Sequence, residues 1–216
     1  MDADNSERSE KWFARRDEVV DIAARLFADR GYHATGLAEL CDAVGLGRGA
    51  LYYYIGSKES LLDLIHDRVM SRLLSGAEEV LTGTGTAADK LTRIGEQLLD
   101  IITTYPDHVS TFLHEFRVLT GERAASFRAS RARYEGMIEQ VLSDGVRSGE
   151  FEIRDTRLAT LAWLDLYNYT YIWLPAAKNY RPDKVADEFA RIFIGGISAK
   201  QPTRTAAGKA TRARRG

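Results

Sequence analysis

The stretch GYHATGLAELCDAVGLGRGALYYYIGSK, residues 31–58, decides the fold. Leu37, Leu40, Cys41 and Val44 fall at i, i+3, i+4 and i+7, the apolar stripe of one short amphipathic helix. Gly45 stands where a tight turn needs positive φ, and Leu46 follows it as an apolar plug. Residues 48–55 then predict a second short helix, so the stretch reads as a helix-turn-helix unit. In such a unit the second helix enters the major groove of DNA and its first residues meet base edges, while flanking groups hold phosphates.

Position then assigns roles. Arg48 can offer a bidentate fork to a guanine edge or one charge to a phosphate, and Gly49 and Ala50 are small enough for close backbone approach. Leu51 faces back into the unit. At about 100° per residue Tyr52, Tyr53 and Tyr54 cannot share one direction, so one or two phenols are expected on phosphates and at least one packed inward. Lys58, at the start of the next helix, is a phosphate candidate beside that helix's free amides.

Gly31-Tyr32, Ala34-Thr35, Leu37, Val44-Gly45, Gly49, Leu51-Tyr52, Tyr54 and Ser57-Lys58-Glu59 resemble the DNA-binding domain of the TetR family of bacterial repressors, over roughly residues 12–62. The resemblance implies an all-α homodimer: an N-terminal three-helix reader, and a C-terminal helical domain that binds an effector, dimerises and releases DNA when occupied. Carried onto this sequence, it puts Thr35, Arg48, Gly49, Ala50, Tyr52, Tyr53 and Lys58 in the DNA-binding set. Two positions depart from the family pattern. Gly36 replaces the usual Ser or Thr cap, leaving Thr35 as the alternative cap, and Ile55-Gly56 replaces a common Phe-Pro. Neither removes a DNA-facing side chain.

Working outward, residues 1–10 offer no apolar anchor and are expected to be disordered, with the reader spanning 11–57. From Trp12, the residues Phe13, Val19 or Val20, Ala23, Leu26 and Phe27 predict a long helix stopped at Arg30-Gly31. Arg15 and Arg16 near its start are either phosphate contacts or solvated charges. Ser57 caps a helix running through Leu61, Leu62, Ile65, Val69 and Leu73 to the TGTGT break at 82–86, and this helix would link reader to effector domain. His66 on it reads as a surface or boundary residue.

Beyond the break, the effector and dimerisation domain (58–199 with the linking helix) is expected to add helices at about 87–105, 107–120, 122–148, 155–174 and 183–199. Candidate cavity residues are Tyr105, Phe112, Phe116, Tyr134, Trp163, Tyr167, Asn168 and Tyr171, with Ile101, Phe127 and Met137 beside them. They describe a greasy cavity with a few hydroxyls. Asn168 and Asp165 need polar partners if buried. Arg117, Arg123, Arg128, Arg131 and Arg133 could hold a phosphorylated or carboxylated head group, or form a solvated face. The segment 155–175 is apolar nearly all round, so it should be buried on both sides. With Phe189, Ile192, Phe193 and Gly196 of the last helix it predicts a dimer interface of two helices from each subunit. The run from Trp173 through Tyr180-Arg181-Pro182 is similar to regulators of lipid or acyl-CoA catabolism within the family, making an acyl-CoA the leading effector expectation.

Composition sets the outer bounds. With 44% hydrophobic residues the chain can bury a core, and its formal net charge of −1 hides an uneven distribution. Lys200, Arg204, Lys209, Arg212, Arg214 and Arg215 lie in 200–216 with no acid, so the preceding residues carry −7. This basic tail is expected to be disordered, and either adds nonspecific DNA affinity or only solubilises. No apolar run approaches the roughly 20 residues that span a bilayer, and the acidic start lacks a signal-peptide core, so a cytoplasmic protein without membrane contact is expected. The lone Cys41 fits a reducing compartment and reads as a small core residue.

No GxSxG, HExxH, Walker loop, GxGxxG or CxxC is present, so no catalytic residue, no cofactor and no enzymatic role is expected. His33, His66, His108 and His114 lack the i, i+3 or i, i+4 spacing of a helical metal site. A small-molecule carrier is the alternative to a regulator, but it would leave Arg48 to Lys58 unexplained.

Overall fold

A computed structural model describes residues 2–199. The reader consists of α1 (Asp2–Arg30), α2 (Leu37–Val44) and α3 (Arg48–Ile55), closed by the start of α4 (Lys58–Thr82). Its core is set by helical spacing: Val19, Val20, Ala23, Ala24 and Phe27 of α1 meet Leu40, Val44, Leu51, Ile55, Leu61 and Leu62, all buried. Gly45 ends α2 with φ 66°, ψ 34°, a left-handed conformation that a Cβ would penalise. The Leu46 amide then donates to the Cys41 carbonyl at 3.0 Å, closing the turn. Cys41 itself is only partly buried.

Residues 2–10, expected to be disordered, form the first turns of α1, and residue 1 lies outside the described residues. A helix already anchored at Val19 propagates at one hydrogen bond per added residue without a new nucleus. The Lys11 ammonium donating to Glu7 at 2.7 Å supports the added turns.

In the second domain α5 (Ala87–Thr104), α6 (Pro106–His114) and α7 (Gly121–Ser148) pack against α4, while α8 (Thr156–Asn168) packs on α7 and α9 (Pro182–Ile197) on α5. The Ser57 cap read from the sequence recurs as geometry, and two further helix starts are capped by side chains. Ser57 accepts the Ser60 amide, Asp155 accepts that of Leu158, and Thr86 with Asp89 forms a reciprocal capping box. Glu150 additionally accepts the Ala87 and Ala88 amides at 2.9 Å, fixing the start of α5 from the far end of α7. Among the described residues, β-structure is limited to an isolated bridge between Phe151 and Ser198. No helix among them is long and apolar enough to cross a membrane.

Two expected helices are shorter than their periodicity suggested. The 107–120 element is α6 followed by a 3-10 turn at Glu115–Val118. The 155–174 element stops at Asn168 and continues as 3-10 turns at Tyr169–Ile172 and Leu174–Ala176. Pro175 lacks the N–H that would bond to the Tyr171 carbonyl, so an α-ladder cannot run unbroken to the end of the expected element, and the chain there is wound as tighter 3-10 turns. The Thr170 hydroxyl donating to the Tyr167 carbonyl at 2.7 Å takes up one of the freed acceptors.

Reader and effector domain share a polar seam. On α6, the Thr111 hydroxyl donates to the Ala24 carbonyl of α1 at 3.2 Å, a buried bond. Arg68 of α4 pairs with Asp17 at 2.7 Å and with Asp21, both on α1. The Tyr32 amide donates to Glu115 at 3.1 Å. The tail at 200–216 lies outside the described residues, so the expectation placed on it is not addressed by the fold.

Candidate nucleic-acid interface and effector cavity

On α3, Leu51 and Ile55 are buried, which turns the opposite face outward. Arg48, Gly49 and Ala50 at the helix start, and Tyr52 and Tyr53 beyond it, are all exposed. Tyr53 is the most open of the tyrosines at 69% and Tyr52 is at 37%. A Cβ placed on Gly49 would meet nothing within 4 Å, so the helix start presents bare backbone. Tyr54 is the tyrosine turned back, its ring stacked on Trp12 at 5.9 Å. Trp12 also meets the edge of Tyr53 at 6.2 Å and lies under the Arg16 guanidinium at 5.3 Å. The role of Trp12 was not legible in the sequence, because the contact joins residues more than forty positions apart.

Two members of the expected DNA-binding set are placed elsewhere. Thr35 is fully buried and its hydroxyl donates to the Gly31 carbonyl at 2.9 Å. It neither faces outward nor caps α2, whose cap is Gly36 without a side-chain bond. Lys58 turns inward: its ammonium donates to the Tyr32 carbonyl at 2.6 Å and lies 4.0 Å over the Tyr32 ring. Burial pushes its pKa below the ordinary lysine value, with Glu59 and Glu115 opposing. The aromatic cradle of Tyr32 and Phe27 explains the turn: it offers a cation a carbonyl and two π-faces at once. Arg15 is likewise internal in function, donating to the Val44 carbonyl at 2.7 Å and so capping the end of α2.

In the effector domain, clefts of about 340, 510 and 370 Å³ converge on Leu119, where the 3-10 turn leads into α7. The first is lined by His66, Asp63, Asp67, Glu122, Arg123 and Phe127 among others, and the second by Phe116, Arg117, Arg128, Arg131 and Phe127 among others. Such volumes suit a small molecule. His66 is the residue the sequence misplaced. It is 3% exposed, wedged between Phe127 at 4.6 Å and Phe112 at 5.5 Å, and neither ring nitrogen has a partner. Burial lowers its pKa to about 4, so the ring is neutral near pH 7.

The expected cavity residues divide. Phe116 lines the second cleft; Phe112, Tyr134 and Asn168 line a smaller void of about 30 Å³. Trp163 and Tyr167 are core instead, with ring centroids 4.4 Å apart and Tyr167 seated on Gly95. The hydroxyls of Tyr134 and Tyr167 are buried without partners, and burial raises both pKa values. Tyr105 packs under the Arg72 guanidinium at 4.7 Å, and Tyr171 shares a 2.7 Å hydrogen bond with His114. Asp165 is exposed and has no burial to offset.

Of the expected interface residues, Phe189 packs inward against Tyr167 at 5.5 Å, Phe193 is half-buried, and Ile192 and Gly196 are exposed. Leu158, Leu161, Tyr169 and Ile172, which lie on the 155–175 segment but outside the named interface set, are exposed on α8 and its 3-10 extension. Leu158 and Leu161 are an i, i+3 pair on the segment that reads as apolar all round, the signal from which they could have been found.

A rigid three-helix reader with an exposed recognition helix, joined to a helical domain with clefts against the linking helix, defines a two-domain DNA-binding regulator. The sequence matches the model for bacterial regulatory proteins of the tetR family over residues 19–65. It matches the model for the tetracyclin repressor-like C-terminal domain over residues 84–197. The chain belongs to the TetR family of transcriptional regulators. It is 27% identical to the HTH-type transcriptional repressor KstR2 of Rhodococcus jostii, covering 86% of this chain and 92% of that one. The structure of the ketosteroid transcriptional regulator KstR2 of Mycobacterium tuberculosis superposes with TM-score 0.81 at 23% identity, over 86% of this chain and 96% of that one. AibR in complex with isovaleryl coenzyme A and operator DNA superposes with TM-score 0.74 at 24% identity, over 82% of this chain and 97% of that one.

Proposed function

We propose that the chain is a cytoplasmic repressor, without enzymatic activity, that binds its operator as a homodimer and leaves it when an amphipathic effector fills the clefts around Leu119. The observation that carries this reading is the pairing of an exposed Arg48-Gly49-Ala50 helix start with an effector domain whose clefts abut the first turns of α4. Arg48 reads a base edge, with Gly49 and Ala50 admitting close approach; Tyr52 and Tyr53 bond phosphates. Two copies of α3 about 34 to 36 Å apart reach successive major grooves of a near-palindromic site.

Dimerisation uses the outer faces of α8 and α9. Ile192, Phe193 and Gly196 supply one half, Leu158, Leu161, Tyr169 and Ile172 the other. The exposure of Leu158, Leu161, Tyr169, Ile172 and Ile192 as large apolar side chains supports the assignment. A Cβ on Gly195 or Gly196 would meet nothing within 4 Å, leaving room for a partner helix.

The effector acts through the 115–123 segment. Glu115 holds the Tyr32 amide of the reader, and Arg123 bonds both Asp63 at 3.0 Å and Ser60 at 3.2 Å at the start of α4. A molecule lodged over Phe116 and Phe127 displaces this segment, and α4 tilts with the reader attached. A shift of a few ångströms in the spacing of the two recognition helices is enough to weaken operator binding by a coupling of about 1 to 3 kcal/mol. An acyl-CoA is the proposed effector class, in keeping with the isovaleryl coenzyme A bound in the AibR complex. Binding of the purified protein to DNA upstream of its own and neighbouring genes, with and without acyl-CoAs, tests the reading. Specific binding relieved by an acyl-CoA is expected; absence of specific binding to every fragment would favour a carrier.

A further inference from the structure

The clefts of about 340 and 510 Å³ share Phe127 and meet across one aromatic floor, and their ends differ in charge and hydrogen-bonding capacity. Phe116 and Phe127 are stacked 6.2 Å apart, and His66 lies a further ring step of 4.6 Å beyond Phe127. At the Phe116 end, Arg117 lies 5.7 Å from the ring centroid, and Arg131 lies 5.9 Å from Phe116 and 5.8 Å from Phe127. Arg128 lines the same cleft. Among the described residues Arg117 and Arg128 have no carboxylate partner, whereas Arg123, Arg133 and Arg157 nearby are all ion-paired. Arg131 approaches Glu135 only to 3.9 Å, and that carboxylate is held at 2.5 Å by Arg157. At the other end His66 is buried and both its nitrogens lack partners.

A buried imidazole without a hydrogen bond is costly, because desolvation is unrelieved. Neutral imidazole carries one donor and one acceptor, so it is suited to a hydroxyl or carbonyl oxygen. The cationic end favours a carboxylate or phosphate, and Arg forks bind either bidentately.

We propose that the clefts on either side of Phe127 form one site for an amphipathic anion, with its charged group on Arg117, Arg128 and Arg131 and an uncharged oxygen hydrogen-bonded to His66. The apolar body between them lies over Phe116 and Phe127. The proposal rests on the reading of these clefts as the effector site and adds the polarity pattern of the effector: charge at one end, an oxygen function about two ring steps inward. The anion can belong to a free acid or to the phosphates of a coenzyme A thioester.

Calorimetric titration of the full chain with decanoate, 10-hydroxydecanoate, the coenzyme A thioesters of both, and uncharged 1-decanol tests it. The hydroxylated probe of each pair is expected to bind about tenfold more tightly, the factor typical of one buried hydrogen bond. His66→Leu is expected to erase that preference while leaving operator binding without probe unchanged, which also shows the variant folded. Arg117→Gln with Arg128→Gln is expected to weaken every anion at least about tenfold and to leave 1-decanol unaffected, since only charge-assisted contacts are lost. Tighter binding of the thioesters than of the free acids would assign the anion to the coenzyme A phosphates, and the reverse to a carboxylate. No preference in the wild type, a preference surviving His66→Leu, or no binding of any probe would overturn the proposal. Operator binding measured in parallel separates that result from failure of the regulator reading itself.

Discussion

The Glu115 carboxylate accepts the backbone N–H of Tyr32 at 3.1 Å, across 83 residues of sequence. This bond ties the effector domain's 3-10 turn to the loop that precedes α2, and Phe116 beside it lines a cleft. Glu115→Ala is therefore expected to keep operator binding but to blunt its relief by effector. Operator titrations with and without decanoyl coenzyme A would show it; undiminished relief would remove Glu115 from the coupling path. The variant also leaves the Tyr32 amide without its partner, at about 1 to 3 kcal/mol of stability.

Arg48 and Tyr53 are both exposed on α3 but should fail differently. Tyr53→Ala is expected to weaken all operator variants alike, as loss of a phosphate contact does. Arg48→Ala should also blur one operator position, by roughly 1 to 3 kcal/mol of lost discrimination. Binding to a panel of single-base operator variants distinguishes the two, and a uniform loss from Arg48→Ala would demote it to a phosphate contact.

Lys58 has a different expected signature from either. Its ammonium holds the Tyr32 carbonyl, so Lys58→Met should lower thermal stability of the reader. The salt dependence of operator binding should be nearly unchanged, whereas loss of a phosphate contact reduces the slope by about 0.9.

Gly95 and Tyr167 form a close-packed pair. A Cβ on Gly95 would fall 2.6 Å from Tyr167 Cζ. Gly95→Ala is expected to cost about 1 to 3 kcal/mol by overpacking, read as a lower urea midpoint. Tyr167→Phe removes a buried hydroxyl that has no partner and should be neutral or stabilising in the same assay.

His66 and His108 give stability a defined pH dependence. Both have pKa values lowered to about 4, first by burial. Arg68 and Arg72 lower His108 further, while Asp17 opposes them, and Asp21 lies 3.2 Å from its Nε2. His66 faces Phe112 and Phe127, with Asp63, Asp67, Glu122 and Arg123 around its cleft. Below about pH 6.5 the unfolded chain takes up protons that the folded chain refuses, so stability is full above that pH and falls toward pH 4. Each shift is worth on the order of 3 kcal/mol when complete. Urea midpoints at pH 7.5 and 5 should differ, and His66→Phe should remove part of the difference.

The reader was legible in the sequence because its signals are local. Leu37, Leu40 and Val44 share a stripe, Gly45 supplies the turn, and Ser57 caps the next helix, each within a few residues of its effect. The inward turns of Thr35 and Lys58 were not legible, since their partners are set by how α1 and the 31–36 loop pack. The same holds for His66, whose burial depends on α6 and α7 supplying Phe112 and Phe127. Periodicity overran α8 because the apolar pattern continues past Asn168 although the backbone there has tightened into 3-10 turns, which the pattern of side chains does not distinguish.

In the proposed regulator one molecule joins an exposed DNA-reading helix to an effector cleft through α4. Fluorescence anisotropy of a labelled operator fragment, titrated with the full chain at two salt concentrations and then with an acyl-CoA, tests it most directly. The account predicts tight, salt-sensitive and sequence-specific binding that the acyl-CoA relieves at least about fivefold, the lower end of typical coupling. Specific binding undisturbed by any acyl-CoA would contradict the coupling, and absence of specific binding would contradict the account as a whole.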